Sequence, residues 1–168
     1  MNNELCHYGV KGMKWGVGKK EELPSYKART KYGENIMITQ DRIGLLGNTI
    51  QKMTKQERKF HTYTARNSKN KKVGGIQLYR ESPDEMNIVF LDTKKKYEGR
   101  GYATSVLKTG ERIAKEAGAK KITAEVVGNS PNMLHITDTS GYVRKGEIKT
   151  QEVLEIWGGL TLVEKRLR

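Results

Sequence analysis

Lys94-Lys95-Lys96-Tyr97-Glu98-Gly99-Arg100-Gly101-Tyr102-Ala103 lies between an apolar run, residues 86–92, and the strongest helical pattern of the 168-residue chain. The run holds Ile88-Val89-Phe90-Leu91, with apolar residues for both faces of a strand, which predicts a central strand covered on both sides. After the turn, Ala103, Val106, Leu107, Gly110, Ile113, Ala114 and Ala117 recur at three- and four-residue spacing, so residues 101–117 read as one helix with one apolar face. Gly110 on that face would let helix and sheet approach closely, and Gly118 supplies the stop. A helix N-terminus offers unpaired N–H groups and a partial positive charge, and two glycines let a phosphate reach the backbone without meeting a Cβ. The spacing is neither that of the Walker A loop nor that of G-x-G-x-x-G. From the residues alone, a pyrophosphate site and an ordinary tight strand-to-helix turn both remain open.

Outward from this turn the punctuation is that of a mixed fold. Residues 36–39 read as a first short strand, and residues 43–58 as a stretch holding one or two short helices. Residues 60–65 and 73–80, joined by a turn at 67–70, read as a hairpin, and a turn at 82–85 leads into the central strand. Beyond Gly118, residues 122–127 form the next strand, and a helix begins at Asn129-Ser130-Pro131 and runs to about residue 139, with Pro131 where a first-turn proline costs no hydrogen bond. Further strands open at Gly141 and at Leu160. The expected fold class is α/β, a mixed sheet flanked by helices, with residues 1–35 as an N-terminal arm and polar linker and residues 36–168 as the folded domain.

Composition narrows the function. One Cys leaves no internal disulfide framework and no Cys-based zinc cluster, and the three His, at 7, 61 and 135, lack metal-ligand spacing, so no metal is expected. The longest purely apolar runs are about four residues, too short for a membrane span or a secretory signal core. A reducing, aqueous compartment follows. The net charge of +13 is spread along the chain in no block of five like charges. It favours polyanions of some kind, with nucleic acid not expected as a specific ligand.

The segment YEGRGYATSVL, residues 97–107, resembles the R/Q-x-x-G-x-G/A acetyl-CoA motif of the GNAT superfamily of N-acetyltransferases. Three other features fall in that family's order: the three-strand meander before the motif, AKEAGAKKITAEV after it, and Asn129 followed by HITDTSGYVRKGE. The resemblance covers roughly residues 36–167. It implies a central mixed sheet with two splayed parallel strands, here 86–92 and 121–127, and acetyl-CoA as co-substrate. It places the pyrophosphate on Gly99, Arg100, Gly101, Tyr102, Ala103 and Thr104, the polarising N–H groups near Leu91, Asp92 and Thr93, and the cofactor arm beside Asn129. Transfer to the amine acceptor, whose identity the sequence leaves open, would be direct. At pH 7 only about one lysine amine in a few thousand is neutral, so a base is needed. Glu125 ranks first and Asp92 second, Glu125 because it alternates with Ala124 and Val126 and so faces away from them.

Two positions weigh against turnover. Glu98 puts a carboxylate immediately before the first motif glycine, where it would repel a phosphate, and Thr137 stands where many members place a Tyr that protonates the departing thiolate, leaving water, Tyr142 or Tyr102 as substitutes. They keep a second reading alive, a GNAT-like module without turnover that serves in a virion or at a host protein. The N-terminal HYGVKGMKWGV, residues 7–17, resembles a peptide of tailed-phage and prophage gene products, including head-associated proteins. It implies a phage origin, a place in the host cytoplasm or on the virion, and docking of residues 5–18 onto a capsid or head protein. On the residues alone, a docking peptide anchored by Tyr8, Met13 and Trp15 and a loosely packed arm are equally open. Cys6 has no nearby base and is not read as a catalytic thiol.

Overall fold

The computed structural model describes residues 23–42 and 60–168. The N-terminal arm up to residue 22 and the helical reading of 43–58 lie outside the described residues. Among the described residues eight strands form one mixed sheet in the order β1-β2-β3-β4-β5-β6-β8-β7. These are β1 Ser25–Arg29, β2 Asn35–Gln40, β3 Phe60–Asn67, β4 Lys72–Ser82, β5 Glu85–Thr93, β6 Lys121–Val127, β7 Val143–Ile148 and β8 Leu160–Arg166. Every neighbouring pair is antiparallel except β5 and β6. Among the described residues three helices lie between strands: α1 Tyr102–Glu116 after β5, α2 Pro131–Thr139 after β6 and α3 Gln151–Trp157 after β7.

The parallel pair exists because α1 carries the chain from the end of β5 back to the start of β6. Val106, Leu107, Ile113 and Ala114 face the sheet and are buried against Ile76, Leu78, Met86, Ile88 and Ile122. Each large side chain so buried contributes about 1.5–3 kcal/mol. Gly110 permits this contact, for a Cβ there would stand 2.5 Å from Ile76 Cδ1. Gly110→Ala is expected to be nearly neutral, since the Ile76 tip can rotate and alanine favours the helix by about 1 kcal/mol. Gly110→Leu has no such escape and should cost about 1–3 kcal/mol in denaturant unfolding.

Two sequence expectations are corrected. Residues 25–29, read as polar linker, are the edge strand β1, paired with β2 from Ser25↔Thr39 to Arg29↔Asn35. Only Tyr26 and Ala28 pack against the core, and the charges between them hide the alternation. Tyr26 meets Tyr63 edge-on at 6.1 Å, and Ser105 Oγ donates to the Arg29 carbonyl at 3.1 Å, so the strand is fastened to the sheet and to α1. The second correction concerns β5, which is central but not covered on both faces along its length: Val89 is 50% and Phe90 57% exposed. Val89 is an extra residue in the ladder, which passes from Leu78↔Ile88 to Gln77↔Phe90, and the bulge turns Phe90 to the face away from α1. α3 and the 3-10 turn Lys95–Tyr97 were not expected.

Candidate functional site

The pairing of β5 with β6 begins at Glu85↔Lys121 and ends at Ile88↔Ala124, although β5 runs on to Thr93 and β6 to Val127. Residues 89–93 and 125–127 are therefore the walls of a cleft at the carboxyl ends of two parallel strands, where the inner edge of each has lost its ladder partner. In open α/β sheets such crevices hold ligands.

The turn beyond β5 completes the cleft. Gly99 and Gly101 both adopt left-handed backbone, with φ of 74° and 76°, and Gly101 is the N-cap of α1. A Cβ at Gly99 would meet nothing within 4 Å, so the corner is open. The amides of the first turn, from Tyr102 to Thr104, have no acceptor within the helix. Two cations lean over one ring at this corner, Lys96 Nζ at 5.0 Å and the Arg100 guanidinium at 6.0 Å from the Tyr97 centroid. Thr93 Oγ1 is buried without a hydrogen-bond partner. An open glycine corner, free helix amides, neighbouring cations and an orphaned hydroxyl fit a phosphorylated ligand whose arm enters between the strands.

The candidate carboxylates, Asp92 and Glu125, occupy one face, and Leu91 and Thr93 alternate to the other. Leu91, Asp92 and Thr93 are half-buried opposite Ile76, Gly75 and Gly74. Asp92 Oδ1 lies over Gly75, 3.6 Å from where a Cβ would be, and Gly74 runs so close to the Asp92 carbonyl that no side chain fits between them. Glu125 is exposed between the buried Ala124 and Val126, so it points to the face away from α1, as Asp92 and Phe90 do. Asn129 is exposed just past β6; its N–H donates to the Trp157 carbonyl at 3.2 Å, and its side chain lies against Gly158. Arg100, Ala103 and Thr104 reach solvent, while the exposed Glu98 stays within the turn.

The side-chain hydroxyls named as thiolate acids are all buried. Thr137 is fully buried, donating to the carbonyls of Met133 at 3.1 Å and Leu134 at 2.9 Å. Tyr102 is 1% exposed and donates to Glu34 Oε2; burial, then that carboxylate, push its pKa up to about 12. Its contribution to the turn is therefore its backbone N–H alone. Tyr142 is buried beside Glu111, which is bonded to Lys165 at 2.6 Å; burial, then the Glu111 charge, raise its pKa.

Sequence reasoning missed α3, whose Trp157 carbonyl accepts from Asn129 N just past the end of β6. Its ends are signalled in TQEVLEIWGG: Thr150 Oγ1 accepts from Val153 N at 3.4 Å, Glu152 sits in the first turn, and Gly158 caps with φ 68°. No residue of α3 is buried, so two turns offered no apolar stripe to read. Thr150→Ala should cost α3 about 1 kcal/mol, seen as roughly fivefold faster amide exchange at Leu154 and Gly158 with global unfolding unchanged.

A family model described as Acetyltransferase (GNAT) family matches residues 32–141, and one described as Family of unknown function (DUF7211) matches residues 1–22. None of the curated proteins matches the sequence. Among solved structures, a GNAT family acetyltransferase from Elizabethkingia anophelis with acetyl-CoA bound has 18% identity and a TM-score of 0.63, over 79% of this chain and 98% of that one. A Bacillus subtilis acetyltransferase in complex with CoA has 14% identity and a TM-score of 0.64, over 84% and 100%. The spermidine N-acetyltransferase of Vibrio cholerae in complex with CoA and spermine has 11% identity and a TM-score of 0.58, over 71% and 73%.

Proposed function

This chain belongs to the acetyltransferase (GNAT) family, and on that premise we propose that it moves the acetyl group of acetyl-CoA directly onto an amine. The observation that carries the reading is the loss of β5–β6 pairing after Ile88↔Ala124, beside a helix that opens on Gly101. When bound, acetyl-CoA supplies a thioester whose carbonyl carbon the amine nitrogen attacks, the C–N bond forming as the C–S bond breaks and the thiolate leaves. The first-turn amides of α1 hold the diphosphate, with Lys96 and Arg100 adding charge. Amides of residues 91–93 polarise the acyl oxygen, and Asn129 steadies the arm. Glu125, with Asp92 as the second candidate, takes the ammonium proton directly or through water. The thiolate is protonated by solvent, since Thr137, Tyr102 and Tyr142 are buried, Thr137 and Tyr102 with their hydroxyls already donating to protein acceptors.

Calorimetric titration with acetyl-CoA, followed by release of CoA thiol in the presence of amines, tests this. Micromolar binding with amine-dependent release supports it; no binding at millimolar acetyl-CoA overturns it. The missing tyrosine acid favours a second reading, a cofactor-binding module without turnover, for which binding would persist while no amine is acetylated. Residues 5–18 form part of the proposal as a docking arm for a phage head protein, on the resemblance of HYGVKGMKWGV. Deleting residues 1–20 should leave acetyl-CoA binding unchanged and abolish co-purification with phage particles; particle association that survives the deletion refutes the arm's role.

A further inference from the structure

Five large apolar side chains are exposed on β5, which forms one wall of the cleft, and on α3, which is bonded to the chain just past the other. Val89 and Phe90 lie on the β5 wall, at 50% and 57% exposure, and Leu154, Ile156 and Trp157 of α3 stand at 46%, 56% and 49%. The C-terminal end of α3 is tied to the end of β6 by backbone hydrogen bonds: Asn129 N donates to Trp157 O, and Gly128 N to Gly159 O at 2.8 Å. Gly128 packs directly on the Gly158 carbonyl, with no room for a Cβ. The helix thus presents its apolar side chains beside Asn129 without using them to pack.

The ends of the cleft strands and α3 are acidic in a basic chain: residues 86–93, 122–128 and 150–159 carry Asp92, Glu125, Glu152 and Glu155 and no Lys or Arg, whereas Lys94, Lys95, Lys96 and Arg100 gather at the turn beyond β5. At the far end of the cleft strands the carboxylates are matched, Asp84 by Lys120 at 2.9 Å and Glu85 by Lys121 at 2.8 Å. At the open end, Glu125 and Glu152 pair with no Lys or Arg among the described residues.

Resting on the acyl-transfer reading above, the geometry points to the class of acceptor: a monoamine carried on an aromatic or branched apolar group. Glu125 and Glu152 draw in its ammonium, and Phe90 on β5 and Ile156 and Trp157 on α3 take its apolar part out of water. A polyamine would leave these five side chains in contact with its charged, hydrated chain. The known neighbour that acts on spermidine therefore does not supply the acceptor class here.

The test uses the full chain with 2-phenylethylamine and tryptamine against putrescine and spermidine, following CoA release. The arylalkylamines should be turned over with kcat/KM at least about tenfold above the polyamines. Ile156→Ser and Trp157→Ser should each raise the KM for 2-phenylethylamine about tenfold, with the acetyl-CoA Kd unchanged. Both side chains are half-exposed and the Trp157 carbonyl bond survives, so folding is not at stake. Preference for the polyamines, or an unchanged KM in both variants, overturns the assignment while acyl transfer stands. Acetyl-CoA binding without acetylation of any of the four amines, and without saturation-transfer NMR contact between 2-phenylethylamine and the CoA-loaded protein, also overturns it. Absence of acetyl-CoA binding in calorimetry refutes the underlying reading instead.

Discussion

Gly101→Val is expected to weaken acetyl-CoA binding about 100-fold or more, measured by calorimetry on folded protein. Gly101 caps α1 at φ 76°, ψ 9°, a conformation a β-branched residue adopts only under strain of about 1–3 kcal/mol. Its new Cβ would also stand 3.1 Å from Lys31 Cγ and 3.5 Å from Lys31 N. The strain is relieved by turning the peptide out of the left-handed region, which swings the first-turn amides away from the corner. Two charge-assisted hydrogen bonds to the diphosphate are lost together, each contributing about 1.5–3 kcal/mol. Gly118→Val is the control: φ there is +87°, nothing lies within 4 Å, and the position is at the other end of α1. It should lower stability by a similar amount and leave the Kd alone. A Gly101→Val protein that binds acetyl-CoA within threefold of the parent would remove the corner from the site.

The parts of the fold legible in the sequence are those that bury a periodic face. α1 announced itself because Val106, Leu107, Ile113 and Ala114 all enter the core, and its start and stop were marked by Gly101 and Gly118. β4, β5 and β6 were legible for the same reason. β1 and α3 were not, because neither needs a buried stripe: β1 hangs on backbone pairing with two inward side chains, and α3 on caps and two backbone hydrogen bonds at its C-terminal end. The cleft was legible only in outline. That two parallel strands part company depends on where a ladder ends, and the Val89 bulge opposite Gln77 and Leu78 has no local sequence mark, since Val89 reads as one more β-branched strand residue. Nor could side-chain identity tell that Tyr102 and Tyr142, both able to donate a proton, would be buried against Glu34 and Glu111.

Glu125→Gln is expected to lower kcat about 100-fold near neutral pH with the acetyl-CoA Kd unchanged. Glu125 is the first residue of β6 beyond Ala124, the last position paired with β5, and it is exposed on the face that Asp92 and Phe90 also line. A carboxylate there can take a proton from an ammonium before attack; the amide has the same shape and cannot. Asp92 is a poorer candidate on geometry, half-buried over Gly75 and held where its carbonyl abuts Gly74. The two roles separate by pH. Without the base, only amine that is already neutral reacts, so the variant's kcat/KM should climb about tenfold per pH unit until the amine's own pKa near 10. The parent, drawing on its base, should climb less steeply, and the gap between the two should close as pH rises. An Asp92→Asn variant showing that convergence, with Glu125→Gln indistinguishable from the parent, would move the base from β6 to β5. If both variants keep full activity, then solvent alone deprotonates the acceptor and the cleft contributes only position and polarisation.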